Sequence, residues 1–323
     1  MAEILAQDDA LETACRLLAE GEPVALPTET VYGLAADATN GEAVARIFEA
    51  KGRPRFNPLI AHVADLAMAE RIAIFSPLAR RLAEAFWPGP LTLVLTHREG
   101  SGVHPLVTAG LATIALRCPR GFAGEVIKRF GRPLAAPSAN VSGRITCTTA
   151  EAVNAALGDR IRLIVDGGPA PVGVESTIVK VAEDGLFLLR PGGLAAEEIE
   201  KVAGAPLKRG EKSVQAPGML ASHYAPRAKM RLNVTEVEPG EALLAFGSRR
   251  AKGAEKAARM LNLSPSGDLR EAASNLFSYL SALDAAGGAT IAAEPIPGEG
   301  LGEAINDRLA RAAAPRDTDG RVT

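Results

Sequence analysis

A chain of 323 residues with 47% hydrophobic, 23% charged and 4% aromatic residues has the composition of a globular protein with an aliphatic core, and the length of two domains. Residues 1–204 hold 20 Lys+Arg against 24 Asp+Glu, and residues 205–323 hold 16 against 14, so neither half has the basic excess of a nucleic-acid-binding domain. No apolar run is long enough to span a bilayer, and no membrane role is expected. The N-terminal MAEILAQDDALETACRLLAEGEP carries acids and helical periodicity in place of a signal peptide's basic start and apolar stretch. Cys15, Cys118 and Cys147 are odd in number and lack CxxC spacing, which fits a reducing, cytoplasmic setting and no zinc site or disulfide framework.

In chain order, GEPVALPT reads as a turn and a short strand over 23–27, and residues 41–50 as a helix that runs into KGRPRFNPL. PLIAHV (58–63) reads as a strand, followed by helical patterns near 64–73 and 77–86. LTLVLT (91–96) and ATIALR (112–117) are β-branched strands, and PRGFAGEVIKRFG is a helix opened by Pro119. RPLAAPSANVSG is a short apolar strand ending in a polar turn. A helix at 148–157, strands near 162–165, 176–182 and 186–190, and a helix from 195 to 203 complete the first 204 residues. Strands outnumber helices and short turns join several neighbours, which predicts an α/β fold with a twisted mixed sheet and packed helices. Residues 205–229 contain three prolines and no periodicity, so they read as a linker or a lid. Beyond them, strands at 241–248, 260–264 and 289–294 alternate with helices at 251–258, 268–286 and 300–313, the pattern of a small Rossmann-like parallel α/β domain over 230–314. Residues 315–323 read as a frayed tail.

Several segments carry groups suited to chemistry. Lys51, Arg53 and Arg55 fall within five residues beside Pro54 and Pro58, which forbid a helix there. They form either a local anion site or solvated surface, and in an acidic half a small phosphorylated ligand fits better than a polynucleotide. Read as loop residues, they are exposed, and their removal should hardly affect stability. His62 ends the following strand and is either structural or in contact with a ligand. Arg117 ends another, where binding or a salt bridge would explain it. PTETVYGL, APSANVSG, GVESTIV and LLRPGG offer Thr30, Ser138, Asn140, Ser142, Ser176, Thr177 and Arg190 at strand ends and turns. Cys118 has no histidine nearby in sequence and reads as a buried, inert thiol. Neither GAPLKRGEKS nor GEGLG has the spacing of a nucleotide-binding glycine loop.

Taken in order, PTETVYGL, KGRP…NPL, WPGPLT, ALRxP, PSANxSG, GVESTIV and LLRPGG resemble the YrdC-like domain of the threonylcarbamoyl-AMP synthases over residues 8–203. PGMLASHYAP, NLSPSGDLREAASNLF and EPIPGEGLGEAINDRLARAA extend the resemblance to the linker and extra domain of the long form. One departure is Ser222, where many relatives have a basic residue before the His-Tyr pair.

The resemblance implies a nucleotidyltransferase that makes threonylcarbamoyl-adenylate and pyrophosphate from L-threonine, bicarbonate and ATP. Downstream threonylcarbamoyl-transferase proteins then modify the tRNA adenosine beside the anticodon. By resemblance, Thr30, His62, Arg117, Ser138 and Ser176 bind threonine. Arg53, Asn57, Thr113, Asn140, Thr148, Arg190 and Tyr224 contact ATP, and Lys51, Arg53, Ser138 and Asn140 are the characteristic catalytic set. A magnesium ion is expected with ATP, and no carboxylate cluster identifies its ligands. The same resemblance leaves two other readings in view. A double-stranded RNA or tRNA-binding module is opposed by the net charge of −4 over residues 1–204, so stable nucleic-acid binding is not expected. A carbamoyltransferase of the hydrogenase-maturation type is opposed by the lack of zinc-finger cysteines.

Overall fold

The computed structural model describes residues 1–209 and 223–315. Its first elements are β1 (Glu3–Ala6), α1 (Gln7–Ala19), β2 (Val24–Leu26), β3 (Gly33–Asp37), α2 (Gly41–Lys51), β4 (Ile60–His62), α3 (Leu66–Ile72) and α4 (Pro77–Phe86). Next come β5 (Leu91–Thr96), α5 (Pro105–Thr108), β6 (Thr113–Arg117), α6 (Phe122–Phe130), β7 (Leu134–Ala135) and α7 (Ala150–Leu157). β8 (Leu163–Asp166), β9 (Thr177–Ala182), β10 (Gly185–Arg190), α8 (Ala196–Ala203) and β11 (Leu207–Lys208) follow. Beyond residue 222 are β12 (Lys229–Arg231), β13 (Ala242–Ala245), β14 (Arg259–Asn262), α9 (Leu269–Ala285), β15 (Thr290–Ala293) and α10 (Leu301–Ala313).

Strands β1 to β11 form one sheet in the order β1-β8-β2-β3-β7-β4-β6-β5-β9-β10-β11. It is mixed, as its sequence predicts. β4 pairs with β6 and β5 with β9 in parallel, while β6–β5, β7–β4 and β9–β10 are antiparallel. Period-two alternation gives the sheet two unlike faces. Ala61, Leu93, Leu95, Leu116 and Val179 join Leu17, Leu82 and Val126 of the helices in the main core. Their strand neighbours Ile60, Val94, Ala115 and Ile178 point the other way, into a small separate cluster with Leu189. Each fully buried aliphatic side chain in such a core contributes about 1.5–3 kcal/mol.

The second sheet, β12-β15-β13-β14, is parallel throughout, as the strand-helix alternation predicts. Its core is built on Leu276, Phe277, Leu280, Ile291, Ile305 and Leu309, and it also takes in Val31, Val174 and Tyr224. The two units therefore share buried apolar surface. At Gly173, φ +75°, they approach closely, because a Cβ there would overlap the backbone of Ala273 and Ser274.

Local departures from the sequence reading have identifiable causes. The N-terminal periodicity hides β1, which pairs in parallel with β8. The turn expected after the first strand contains β3, antiparallel to β2. Pro119 does not open α6, whose N-cap is Gly121 at φ +74°. The Ala- and Lys-rich stretch 251–258 forms no α-helix beyond one tight turn at Ala254–Lys256. Lys252 instead exchanges backbone hydrogen bonds with Thr235 and Val237, so tertiary pairing overrides helix propensity. The expected boundary at 204 also moves, since β11 pairs with β10, and β12 begins inside the expected linker. Most of that linker, with Ser222, and the tail beyond Pro315 lie outside the described residues.

Candidate active site

The polar side chains collect on the sheet face that the main core leaves uncovered. His62 follows Ile60 by two residues and Arg117 follows Ala115, so each shares its neighbour's face, while Ser138 comes just beyond β7. Register sets His62 opposite Arg117 and bridges Gly33 to Ser138. Ser176, just ahead of β9, and Thr92 of β5 meet hydroxyl to hydroxyl at 2.7 Å. Arg190, at the end of β10, donates through Nε and Nη2 to the Ser176 carbonyl at 3.2 and 2.9 Å. His62, Arg117, Ser138, Ser176 and Arg190, with Thr28, Arg53, Glu175, His223 and Tyr224, line a cavity of about 40 Å³. A larger cleft of about 630 Å³ opens beside it, between the 140–149 segment with α7 on one side and Ala225, Arg227 and α9 on the other.

The basic loop differs from its sequence reading. Asn40 caps α2, accepting from the backbone of Glu42 and Ala43 at 3.0 and 3.3 Å, and Gly52 ends the helix at φ +60°. Lys51 is thus the last helical residue, and it is buried. Its ammonium donates to the carbonyls of Ser138 and Asn140, both at 2.6 Å. Arg53 is buried too, held by the carbonyls of Asn57 at 3.3 Å and Pro58 at 2.9 Å. Only Arg55 of the three cations is exposed, so the expectation of a solvated trio is corrected. Burial, then repulsion from Arg53, lowers the Lys51 pKa to about 7. Burial, then Arg190, lowers that of Arg53 to about 10.

The remaining predicted residues divide between the two recesses. His62, Arg117, Ser138, Ser176, Arg190 and Tyr224 line the small cavity with Arg53. Burial, reinforced by Arg117, holds the His62 imidazole neutral with a pKa lowered to about 3. Arg117 makes the salt bridge left open for it, pairing with Glu29 at 2.8 Å, and it also lines the cavity. Thr30 is buried one hydrogen bond behind the wall, 2.9 Å from the hydroxyl of Thr28, and it is Thr28 that lines the cavity. Asn140 and Thr148 line the larger cleft. Asn57 is buried beside Arg53, whereas Thr113 starts β6, about 13 Å along the strand from Arg117.

Buried polar atoms without a hydrogen-bond partner concentrate here. Among the described residues they include both amide atoms of Asn57, His62 Nδ1, Asn140 Oδ1, His223 Nδ1 and the Tyr224 hydroxyl. Folded proteins rarely leave such groups unpaired, so a cluster of them marks surface prepared for a ligand. Neither thiol behaves as a nucleophile, because burial raises Cys118 to about 11 and Cys147 to about 12. No group of three or more His, Cys, Asp or Glu poised for a metal ion occurs among the described residues.

Two family models divide the chain between them. Residues 16–192 match the Sua5/YciO/YrdC model, described as "Telomere recombination", and residues 194–314 match "Threonylcarbamoyl-AMP synthase, C-terminal domain". The threonylcarbamoyl-AMP synthase of Bacillus subtilis (strain 168) is 41% identical, over 97% of this chain and 96% of that one. The chain belongs to the threonylcarbamoyl-AMP synthase family. The synthase of Pyrococcus abyssi is also 41% identical, over 95% of this chain and 94% of its own. The crystal structure of P. abyssi Sua5 complexed with L-threonine superposes with a TM-score of 0.88, covering 97% of this chain and 98% of that one at 38% identity. Escherichia coli YciO, 21% identical with a TM-score of 0.54 over 59% of this chain, shares the fold of the first unit.

Four further residues at this family site escaped the sequence reading. Thr28 and Glu175 are each next to a quoted motif position or within one, but nothing separates them from their neighbours without coordinates. His223 stood out only as half of an aromatic pair. Arg308 arrives from α10, and its 133-residue separation from Glu175 leaves no local signal. Arg308 is fully buried and donates through Nε to Glu175 at 2.9 Å.

Proposed function

We propose that this chain is an L-threonylcarbamoyladenylate synthase, joining L-threonine, bicarbonate and ATP to give threonylcarbamoyl-AMP and pyrophosphate. The observation that carries this reading is a buried cation set, Lys51, Arg53, Arg117 and Arg190, among unpaired polar groups. The threonine amine and carbon dioxide or bicarbonate form a carbamate, and its oxygen attacks the α-phosphorus of ATP, expelling pyrophosphate. Substrate supplies the nucleophile, so the protein's task is to hold two anions together and stabilise the phosphate charge.

In this reading Arg117 takes the threonine carboxylate, while Ser138, Ser176, His62 and Thr30 with its partner Thr28 surround the amine and side chain. A neutral His62 can accept a hydrogen bond from the amine, while its depressed pKa makes it too weak a base to take the proton itself. Lys51, Arg53 and Arg190 serve the phosphates, with Asn57, Thr113, Asn140, Thr148 and Tyr224 as further ATP contacts. The nearest carboxylates, Glu29 and Glu175, are committed to Arg117 and Arg308, so magnesium is expected to arrive on the ATP phosphates. The small cavity has room for about three water molecules. It falls far below the roughly 300 Å³ at which small-molecule sites begin. In this reading His223 and Tyr224, which line it, move aside to admit threonine and return to exclude water from the labile carbamate. The product would pass to threonylcarbamoyl-transferase proteins acting on tRNA in the cytoplasm.

The test is pyrophosphate release with labelled bicarbonate and mass spectrometry of the product. Release should require both L-threonine and bicarbonate, and the adenylate should carry the label. Turnover at the same rate without threonine, or an unlabelled adenylate, would sink the proposal. Serine should be discriminated against by roughly 1–3 kcal/mol, the worth of one methyl group in a pocket.

A further inference from the structure

Arg308 is the feature that the proposed chemistry leaves unexplained. It sits on α10 of the second unit, fully buried, yet it reaches the wall of the first unit's cavity. Its Nε donates to Glu175 Oε2 at 2.9 Å, its Nη1 pairs with Asp307 at 2.6 Å, and its guanidinium lies 5.2 Å from the Tyr224 ring centroid. Glu175 Oε1 accepts from Thr146 at 3.1 Å. A buried carboxylate next to Ser176, whose carbonyl holds Arg190, is a liability in a site for polyanions. Unpaired, it would repel phosphate and attract Arg190. Among the described residues, every buried side-chain polar atom of the second unit beyond Tyr224 is hydrogen-bonded, except Arg308 Nη2. That donor belongs to the guanidinium whose Nε holds Glu175, a residue of the cavity wall.

We propose that Arg308 is a positioning residue for ATP, neutralising Glu175 so that its carboxylate neither repels the phosphates nor draws Arg190 from Ser176. The inference rests on the proposed ATP site and gives the second unit a definite part in it. The pair is electrostatic in purpose, so removing both charges together should do less harm than removing Arg308 alone.

ATP and threonine affinities measured by calorimetry, beside steady-state adenylate formation, test this in four proteins: wild type, Arg308→Met, Glu175→Gln and the double variant. Arg308→Met should weaken ATP about tenfold or more, the usual scale for stranding a buried charge, and threonine less than about threefold. The double variant should return to within about threefold of wild type. A pH series separates charge from packing. Glu175 faces Arg308 and Asp307 from α10, Arg190 from β10, Lys51 from α2, and His223 with Tyr224. Without Arg308, burial favours the protonated carboxyl, so the ATP affinity of Arg308→Met should recover relative to wild type between pH 8 and 6. A double variant no better than Arg308→Met, or equal loss of threonine affinity, overturns the inference. Should Arg308→Met not fold, the double variant against Glu175→Gln decides, with ATP affinities within threefold expected and a tenfold gap overturning it. A wild type that binds no ATP overturns the proposed function and this inference with it, whereas normal wild-type binding beside an unrescued double variant overturns the inference alone.

Discussion

At position 51 burial and function pull in opposite directions. A buried ammonium needs partners, and the carbonyls of Ser138 and Asn140 supply two of them at the bend where those residues enter the site. Lys51→Ala should therefore do two things that an exposed lysine would not. It should lower kcat/KM by about two orders of magnitude, the scale of one lost electrostatic donor. It should also lower stability by about 1–3 kcal/mol, because two buried carbonyls lose their donor. Arg53→Ala should behave alike, while the exposed Arg55→Ala should change neither quantity. Pyrophosphate release and urea unfolding read the two effects, and equal activity losses at all three positions would defeat the specific assignment. Protonation gives an independent check. Buried His62 and His223 have pKa values lowered to about 3 from the ordinary 6.5, so the unfolded chain binds more protons between those limits. Stability must then fall as pH drops below 6.5. Lys51, lowered from 10.5 to about 7, has the same sign in its own window, with stability rising from pH 7 towards 10.5. The urea midpoint followed against pH should show a flatter acid limb in His62→Gln and a flatter alkaline limb in Lys51→Met.

Elements divide between those whose signal is local and those that pairing alone creates. LTLVLT and ATIALR carry enough β-branched and alternating residues to declare β5 and β6 within one residue of their ends. α9 and α10 are legible from apolar periodicity, and Asp268 caps α9 by accepting from the backbone of Arg270 and Glu271. β7, the short apolar strand read in RPLAAPSANVSG, is two residues long and held between β3 and β4, whereas β1 and β3 exist through pairings that no local pattern announces. The same division holds at the site. Arg117, Ser138 and Arg190 sit at strand ends or just beyond and were visible there, whereas the burial of Lys51 depends on a turn 87 residues away. Gly192 belongs to the second kind. LLRPGG reads as a proline turn, but a Cβ on Gly192 would overlap the backbone of Glu175, Ser176 and Thr177. Gly192→Ala should push the start of β9 out of place, at about 1–3 kcal/mol of stability with a larger fractional loss of activity. Gly298→Ala, where a Cβ meets nothing within 4 Å, is the control. Equal urea midpoints for the two variants would show that the Glu175–Thr177 backbone yields without cost.

On the scale of the whole molecule, the main core includes no residue beyond Leu207, so the first unit has the apolar packing to fold without the second. Its site does not have the same independence. Val31 and Val174 are buried in the second unit's core, Glu175 answers to Arg308, and Tyr224 lines the cavity at φ +64°. That strained conformation persists because the Tyr224 ring is packed against Phe277 at 5.4 Å and beside His223 at 4.1 Å. A chain ending at Arg209, which keeps β11, should therefore unfold cooperatively in urea yet turn over poorly. Tyr224→Ala in the full chain separates the two contributions. It removes the ring that seals the nucleotide side while leaving Arg308 and Glu175 paired, so it should raise KM for ATP and increase the ATP spent per adenylate recovered. Threonine affinity should change less, because His62, Arg117 and Ser138 approach from the sheet. Hydrogen exchange across 223–229, with and without ATP plus threonine, reports whether the segment tightens on the ligands. Full activity from the shortened chain, together with unchanged exchange at 223–229, would reduce the second unit to a passenger.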